Sequence, residues 1–544
     1  MWLKVIYKEK RIIFLMINKF IIQLKERFDS IQKSTDLLFL LFLLMMLYVS
    51  LAVKLAALVL IFFYRRDFKI VKLKELPLFY VGMMLYVIFQ LAFNFQLGLN
   101  YNLLAALSFV FWSASFLVLY QIRYTIKTQG VERVENALKW FFICNAAITC
   151  INLLRIIIEI RDINPYTFDS LNFKYFASTG DYLRGITFDI STVNNIINSF
   201  GILFFLYRSK YPLSILCFLV SMFTTSNVGN IMLLFLFLYI LVFDRSLWHK
   251  SIVVCYIAFM LVFVVKISPS NLNYLNNQIS SIFHLKKKIL QKHYEDHSYK
   301  DNLIEKYANQ KKAKILSGFD NYKNVVERIV ETEQGTLKKK RKADSVCIKD
   351  EGRLRDKYLN IYTQFYGDTL AASEQAYYKK YPGKLLSFIE TINAVKKSNK
   401  TLVMGYGADN FSSKLAFKAT NIAIAGKYVD KLAYVSPQFR ENHLKLTLRY
   451  YLEPISEHSM INFPNSVFNQ LLGDYGIIGL ALFFILYVGF FLKRFKQLTY
   501  GKLLLPLCLA FLLTDYWFES LTILIIFEVM MFIDLAEEDK KNFV

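Results

Sequence analysis

The sequence predicts an all-α, polytopic integral membrane protein with about twelve transmembrane helices and one large, mostly helical extracytoplasmic loop domain. Three observations predict it. Hydrophobic residues make up 55% of the 544 residues and aromatics 17%, and the mean hydropathy is +0.34. Soluble domains average roughly 45–50% apolar. The apolar residues fall in blocks near the length of a membrane span, and the lysines and arginines crowd the segments between alternate blocks. Fifty Phe beside 20 Gly and 9 Pro exclude a disordered or collagen-like chain. The formal net charge of +24 is read as topogenic, so no nucleic-acid partner is expected; the expected surroundings are membrane lipids.

Taken in order, residues 1–36 form a basic cytoplasmic segment with eight Lys/Arg. Within it, the mixed apolar and basic stretch 11–24 is expected to lie as a helix on the cytoplasmic leaflet. No removable signal peptide is expected. The block 37–63 is interrupted by Ser50 and Lys54. Five further Lys/Arg at 65–75 place both of its flanks on the cytoplasmic side, which makes it a hairpin turning near Ser50–Lys54. Further blocks at 76–94, 102–122, 140–160, 189–207, 211–223, 229–243 and 251–266 complete an N-terminal bundle, 37–266, of about nine spans. Blocks at 467–492, 503–514 and 520–534 give about three more in the C-terminal region 467–534, before a cytoplasmic tail at 535–544. This topology puts 27 Lys/Arg on the cytoplasmic side and four (Lys54, Arg161, Lys174, Arg184) in short external loops. It puts residues 267–466 outside as one periplasmic domain.

That domain is hydrophilic and basic, and its runs Lys286–Lys288 and Lys338–Lys342 are read as solvated faces. Five of the six cysteines sit in apolar blocks and only Cys347 in a polar stretch, so no disulfide framework is expected. No Walker A loop and no strand-bounded Gly-x-Gly-x-x-Gly occurs, and Gly405-Tyr406-Gly407 lies outside, away from cytosolic nucleotides. His293 and His297 share a helix face, but their order is not that of a zinc helix and no third ligand stands near. No metal and no cofactor is expected. Arg155 and Glu159, spaced i, i+4, are read as an ion pair facing other helices, and Glu528, isolated within the last span, either as a neutral or hydrogen-bonded acid or as the partner of a cation. Asn194, Asn195 and Asn198 open the fifth block beside the external loop, where amides can satisfy bent backbone near a water-filled cavity. Arg184, Lys266, Arg440, Lys445 and Arg449 gather cations close to the outer membrane surface. Arginine suits phosphate because its planar fork donates two parallel hydrogen bonds.

Four local motifs then converge with this layout. They are Arg184-Gly185-Ile186-Thr187-Phe188-Asp189 followed by Asn194; Thr224-Thr225-Ser226-Asn227; a helix-like stretch from Lys384 to Lys397 followed by Met404-Gly405-Tyr406-Gly407-Ala408-Asp409-Asn410-Phe411; and Pro464-Asn465-Ser466-Val467-Phe468-Asn469-Gln470 ending in Asp474-Tyr475-Gly476-Ile477-Ile478-Gly479-Leu480. In order and spacing the chain resembles the O-antigen polymerase and O-antigen ligase superfamily of bacterial membrane glycosyltransferases over nearly its whole length. Two positions depart from the family pattern. Asn465 occupies the place of the family's histidine, and Asn227 stands where arginine is usual.

The resemblance implies a metal-independent glycosyl transfer at the outer face of the bacterial cytoplasmic (inner) membrane. The donor is a polyprenyl-diphosphate-linked oligosaccharide, and a chain-length regulator protein is an expected partner. Polymerisation of lipid-linked repeat units into an O-antigen or capsule is the first reading. A ligase moving the finished glycan of a lipopolysaccharide to lipid A core is the second. A flippase for lipid-linked oligosaccharides, without catalysis, is the reading from another class. Under the first two, Arg184 with Arg440 or Arg449 is expected to stabilise the leaving undecaprenyl diphosphate. His458, Asp189, Asp409 or Glu457 is expected to take the acceptor proton, beside Asn465. Lys266, Asn194, Gly405 and Gly407 complete the expected substrate-binding set.

Overall fold

The computed structural model describes residues 31–48, 50–94, 98–167, 182–268, 356–367, 381–422, 424, 426, 429–453 and 458–541. These are helical, with no strand among them. The expectations for 11–24, Lys174, Lys286–Lys288, His293, His297, Lys338–Lys342, Cys347 and Glu457 lie outside the described residues.

The membrane-type helices are α1 Leu37–Met46, α2 Leu51–Tyr64, α3 Phe79–Asn94, α4 Leu99–Gln129, α5 Val131–Ile160, α6 Ser191–Tyr207, α7 Tyr211–Phe223, α8 Asn227–Phe243 and α9 Leu247–Ile267. Nearer the C-terminus come α14 Val467–Leu492, α15 Gly501–Leu512, the short α16 Trp517–Ser520 and α17 Thr522–Lys541. Four of them, α4, α5, α9 and α14, are long and apolar enough to cross a membrane. α9 and α14 end close to the apolar blocks, whereas α4 and α5 run past the ends of the blocks 102–122 and 140–160 to meet at Gly130.

α17 is the axis of the bundle. Apart from Glu528 it is apolar on every side through its first three turns, and such a helix must be buried all round. Ile523–Phe527 and Val529–Ile533 are fully buried. It packs against α1, α4, α5, α6 and α15. α6 is almost as enclosed and lies close against α7, with Gly201 seated on Phe142 and Cys217. Midway along α17, Glu528 accepts hydrogen bonds from Tyr80 Oη at 2.6 Å and Tyr487 Oη at 3.0 Å, which satisfies the isolated acid by hydrogen bonding. Arg155 and Glu159 also pair, at 2.9 Å, on the outer face of α5 rather than toward other helices.

α1 and α2 form a hairpin. Asp36 caps α1 through the Phe39 N–H at 3.0 Å and accepts from Arg65 Nη2 at 2.8 Å, which joins the start of α1 to the end of α2. The break lies at Leu47–Ser50, slightly before the expected turn. Lys54 therefore belongs to α2 and not to an external loop, and its side chain is buried. Helices of 10 and 14 residues rise only about 15 and 21 Å, so the tip of this hairpin stops within the bundle. There Tyr48 meets Phe188 edge-on.

One end of the bundle gathers the basic turns. Glu75 pairs with Lys127 at 2.5 Å, Glu135 with Arg208 Nη2 at 2.8 Å, and Arg208 also with Glu537. Asn136 Nδ2 donates to the Ser34 carbonyl at 2.9 Å and Arg494 Nη2 to the Lys74 carbonyl at 3.2 Å. The segments that sequence charge assigns to a single side of the membrane thus share one end of the molecule.

The opposite end carries α10 Gly383–Val395, α11 Asn399–Met404, α12 Lys414–Ala419 and a helix over 437–452, α13, that contains a π turn at Arg440–Leu444. A further helix over 356–366 packs Tyr362 against Arg449 of α13.

Candidate active site

The elements α10–α13 are fastened to the bundle by a backbone joint. α14 departs from helical geometry at Gly476, with φ 66° and ψ −161°. The freed backbone receives the loop after α11: the Tyr406 N–H donates to the Gly473 carbonyl at 2.9 Å and the Gly407 N–H to the Asp474 carbonyl at 3.0 Å. Gln90 Nε2 of α3 bridges the two sides, donating to Met404 and Asp474 carbonyls at 2.7 and 2.9 Å. Gly405 has φ 73° and ψ −168°, and a Cβ on it would strike Asp474 and Gly476 backbone atoms. A Cβ on Gly407, φ 105°, would lie 2.5 Å from the Tyr101 hydroxyl.

The loop then wraps around a carboxylate. Asp474 Oδ1 accepts three consecutive backbone N–H groups, from Asn410 at 3.1 Å, Phe411 at 2.6 Å and Ser412 at 3.2 Å. A second acid holds the start of α12: Glu519 Oε1 accepts from the Lys414 N–H at 3.1 Å and from Gln470 Nε2, and Oε2 accepts from the Leu415 N–H at 2.7 Å. Orphan N–H groups at a helix start favour a carboxylate there. Burial pushes the Glu519 carboxyl up to about 8, with the charge of Asp409 adding to the shift. Burial likewise pushes the neighbouring Asp409 up to about 6, against hydrogen bonding from Ser413 and Ser108.

Beside this joint lies a polar node around the segment 514–522 that connects α15 to α17. Lys384, at the start of α10, donates from Nζ to the Thr514 carbonyl at 2.8 Å and to the Asn465 carbonyl. Asn465 Nδ2 donates to Asp515 Oδ1 at 3.2 Å, and the Tyr516 N–H donates to the same oxygen at 2.8 Å. Lys384 is half-buried as a whole side chain while its amine end is enclosed. That enclosure brings its pKa down to about 7, with the Asp515 charge opposing. Burial raises the Asp515 carboxyl, and the Lys414 and Lys384 charges oppose it. Lys54 reaches the same segment from α2, donating to the Ser520 carbonyl and, at 3.2 Å, to Thr522 Oγ1. His443 of α13 is buried behind Lys384 with Nε2 at 3.2 Å from Thr391 Oγ1, and burial lowers it to about 3, which keeps it neutral.

Of the residues singled out in the sequence, Asn465 stands inside this node. Gly405 and Gly407 stand in the joint that supports it, and Asp409 stands beside it. Asp189 lies at its edge, close enough to act electrostatically on Lys54. The others are held elsewhere. Arg184 is exposed, with its guanidinium over the Tyr182 ring at 5.7 Å. Arg440 and Lys266 are exposed on α13 and on the π turn ending α9. Arg449 is buried against the Tyr362 hydroxyl, with two contacts of 3.3 Å. His458 stacks on Tyr450 with ring centroids 4.5 Å apart. Asn194 is fully buried. It donates to the Leu183 carbonyl at 2.8 Å and accepts from Asn145 and Asn198, each at 2.8 Å, and so pins the 183–187 turn to α5 and α6. Asn194→Ala is accordingly expected to lower stability by about 2 kcal/mol through orphaned partners, measured as a lower Tm in detergent. Arg184→Ala should leave Tm unchanged in the same assay.

The residues that sequence reading passed over are Lys384 as a chemical group, Lys54, Asp515, Glu519 and His443. Three of them carry a sequence signal, a polar residue at or inside an apolar boundary: Lys54 within Leu51–Tyr64, and Asp515 and Glu519 in the short interval between the last two apolar blocks; Lys384 and His443 lie in the hydrophilic segment and carry none. No protein family, curated protein or solved structure matches the chain.

Proposed function

We propose that this chain is a membrane glycosyltransferase that polymerises polyprenyl-diphosphate-linked oligosaccharide repeat units into a surface polysaccharide at the outer face of the bacterial cytoplasmic membrane. In this reading about twelve helices lie in the membrane, both termini are cytoplasmic, and the elements around α10–α13 form the outer cover of the site. The observation that supports the reading is the Lys384–Asn465–Asp515 node, built around Asn465, the residue that the resemblance puts in the place of the family's histidine.

The depth of the node fits a substrate anchored in the bilayer. Eleven residues separate Lys54 from Arg65 and fifteen separate Thr522 from Glu537, about 16 and 22 Å of helix. With Arg65 and Glu537 taken at the cytoplasmic surface, this reading puts the node below the outer surface of a hydrocarbon core about 30 Å thick.

The proposed chemistry needs little beyond these residues. The acceptor hydroxyl attacks the anomeric carbon of the donor. A new glycosidic C–O bond forms, the bond to the diphosphate oxygen breaks, and polyprenyl diphosphate leaves. The hydroxyl proton passes to Lys384. A neutral amine there gives its two N–H bonds to the Asn465 and Thr514 carbonyls, which leaves the lone pair to accept a proton. Asp515, oriented by Asn465, then stabilises the ammonium.

The test is the surface-glycan profile after deletion of the gene in its native host. A ladder that collapses to single repeat units on the final acceptor is the expected result. Long chains that accumulate on the polyprenyl carrier would make this a ligase. Lipid-linked units that stay on the cytoplasmic side would make it a transporter.

A further inference from the structure

Between α4, α14 and the loop before α12 lies a small, partly open cavity just large enough for one water-sized particle. Phe111, Trp112 and Leu415 supply its apolar wall, and its oxygen-bearing residues are Ser108, Tyr475, Gln470, Asp409 and Glu519. Asp409 and Gln470 are both more than nine-tenths buried. Asp409 Oδ2 and Gln470 Oε1 have no hydrogen-bond partner among the described residues. The Gln470 amide nitrogen is already spent on Glu519, so its free oxygen can only accept. Trp112 Nε1 donates to Tyr475 Oη at 3.2 Å, and Ser108 Oγ lies 3.2 Å from the same hydroxyl, so the hydroxyls have lone pairs left over.

Charge is also out of balance. Asp409, Glu519 and the adjacent Asp474 act on one another electrostatically, and none of them forms an ion pair among the described residues. Lys414 is the cation that acts on Glu519, and it lies beyond the backbone cap that this carboxylate holds. Burial favours a proton on Glu519 and Asp474, so the unmet cost is that of acceptors without donors and of the Asp409 carboxylate without a cation. One hard cation with oxygen ligands relieves both at once.

From this arrangement we infer that the cavity is a sodium site that locks the loop before α12 to the bundle. Asp409 Oδ2 supplies the negative charge and Gln470 Oε1, Ser108 Oγ, Tyr475 Oη and a Glu519 oxygen complete the shell. A monovalent ion suits it. Glu519 is already neutralised in part by two backbone N–H groups, which leaves Asp409 as the carboxylate with an uncommitted oxygen. Because Asp409 comes from the loop, Gln470 and Tyr475 from α14 and Ser108 from α4, the ion ties three parts of the chain together. This inference does not rest on the proposed transferase activity.

The test is thermal unfolding of the purified full-length protein in detergent, at fixed pH and constant ionic strength, as sodium chloride replaces choline chloride. A saturable rise in Tm on the order of 2–4 °C is expected, with a smaller rise in potassium chloride. Gln470→Leu should abolish that rise. Equal Tm in sodium and choline would overturn the inference, as would a sodium response that Gln470→Leu leaves intact. If Gln470→Leu does not yield folded protein, the wild-type comparison of sodium with choline decides alone. A Tm that follows pH but not sodium would assign the cavity to a proton and also overturn it.

Discussion

Gly476→Ala is expected to release the 403–413 loop from the bundle and to lower stability by about 4 kcal/mol or more. Two effects add. Gly476, at φ 66° and ψ −161°, occupies backbone space that is essentially closed to residues with a Cβ. The added Cβ would also strike the Val403 carbonyl and the Gly405 N–H, which are backbone atoms and cannot swing aside. Gly405→Ala meets the mirror of this clash and should behave alike. Once the joint opens, Asp474 Oδ1 loses its three N–H donors and a buried carboxylate is left unsatisfied. The checks are Tm in detergent and limited proteolysis within 405–413, where cleavage should rise. Gly489→Ala is the control. That glycine is helical, its Cβ would meet only the Phe484 carbonyl at 3.2 Å, and its Tm should stay near wild type.

Lys384→Met is expected to lower chain elongation by about 10²–10⁴-fold, the usual contribution of a positioned proton acceptor. Methionine fills the same space without a titratable nitrogen, so insertion and Tm should change far less than activity. Lys384→Arg keeps the charge but not the proton acceptor, because guanidinium stays protonated, and it should be as inactive as Lys384→Met. The pH dependence has a definite sign. With its pKa brought down to about 7 by burial, Lys384 is increasingly the neutral amine as pH rises through 7, and elongation should rise with it. Stability should move the same way. An unfolded lysine holds its proton up to about 10.4, so between pH 7 and that value the unfolded chain binds the extra proton. This group's contribution therefore favours folding more as pH rises through that window.

Much of the architecture was legible because membrane helices advertise themselves. Blocks such as 211–223 and 467–492 coincide with α7 and α14, since a basic or polar turn marks each end. The half-length of α1 and α2 was less legible. Hydropathy reports that a stretch is apolar, not where in it the chain turns, and Lys54 in an apolar block looks like a turn when its partners, Ser520 and Thr522, lie at the other end of the sequence. The site divides in the same way. Asn465, Gly405 and Gly407 sit in ordered motifs, which is why sequence reading singles them out. It does not single out Lys384 or Asp515 as chemical groups, because no local pattern signals a lysine whose two acceptors are main-chain carbonyls from distant segments. Of the arginines singled out near the outer surface, Arg184 and Arg440 are exposed and Arg449 is buried against Tyr362. Exposed arginines such as Arg184 and Arg440 are inexpensive in a basic chain, whereas a lysine is enclosed only where the fold supplies carbonyls to receive it.

The most direct measurement is chain elongation by the purified protein in liposomes, with polyprenyl-diphosphate-linked repeat units as both donor and acceptor, followed from pH 6 to 8 beside Lys384→Met. The proposed function predicts polymer from the wild-type protein, a rate that rises with a midpoint near 7, and no polymer above background from the variant. A correctly inserted wild-type protein that elongates nothing at any pH would contradict it. A Lys384→Met protein that elongates at the wild-type rate would remove Lys384 from the chemistry.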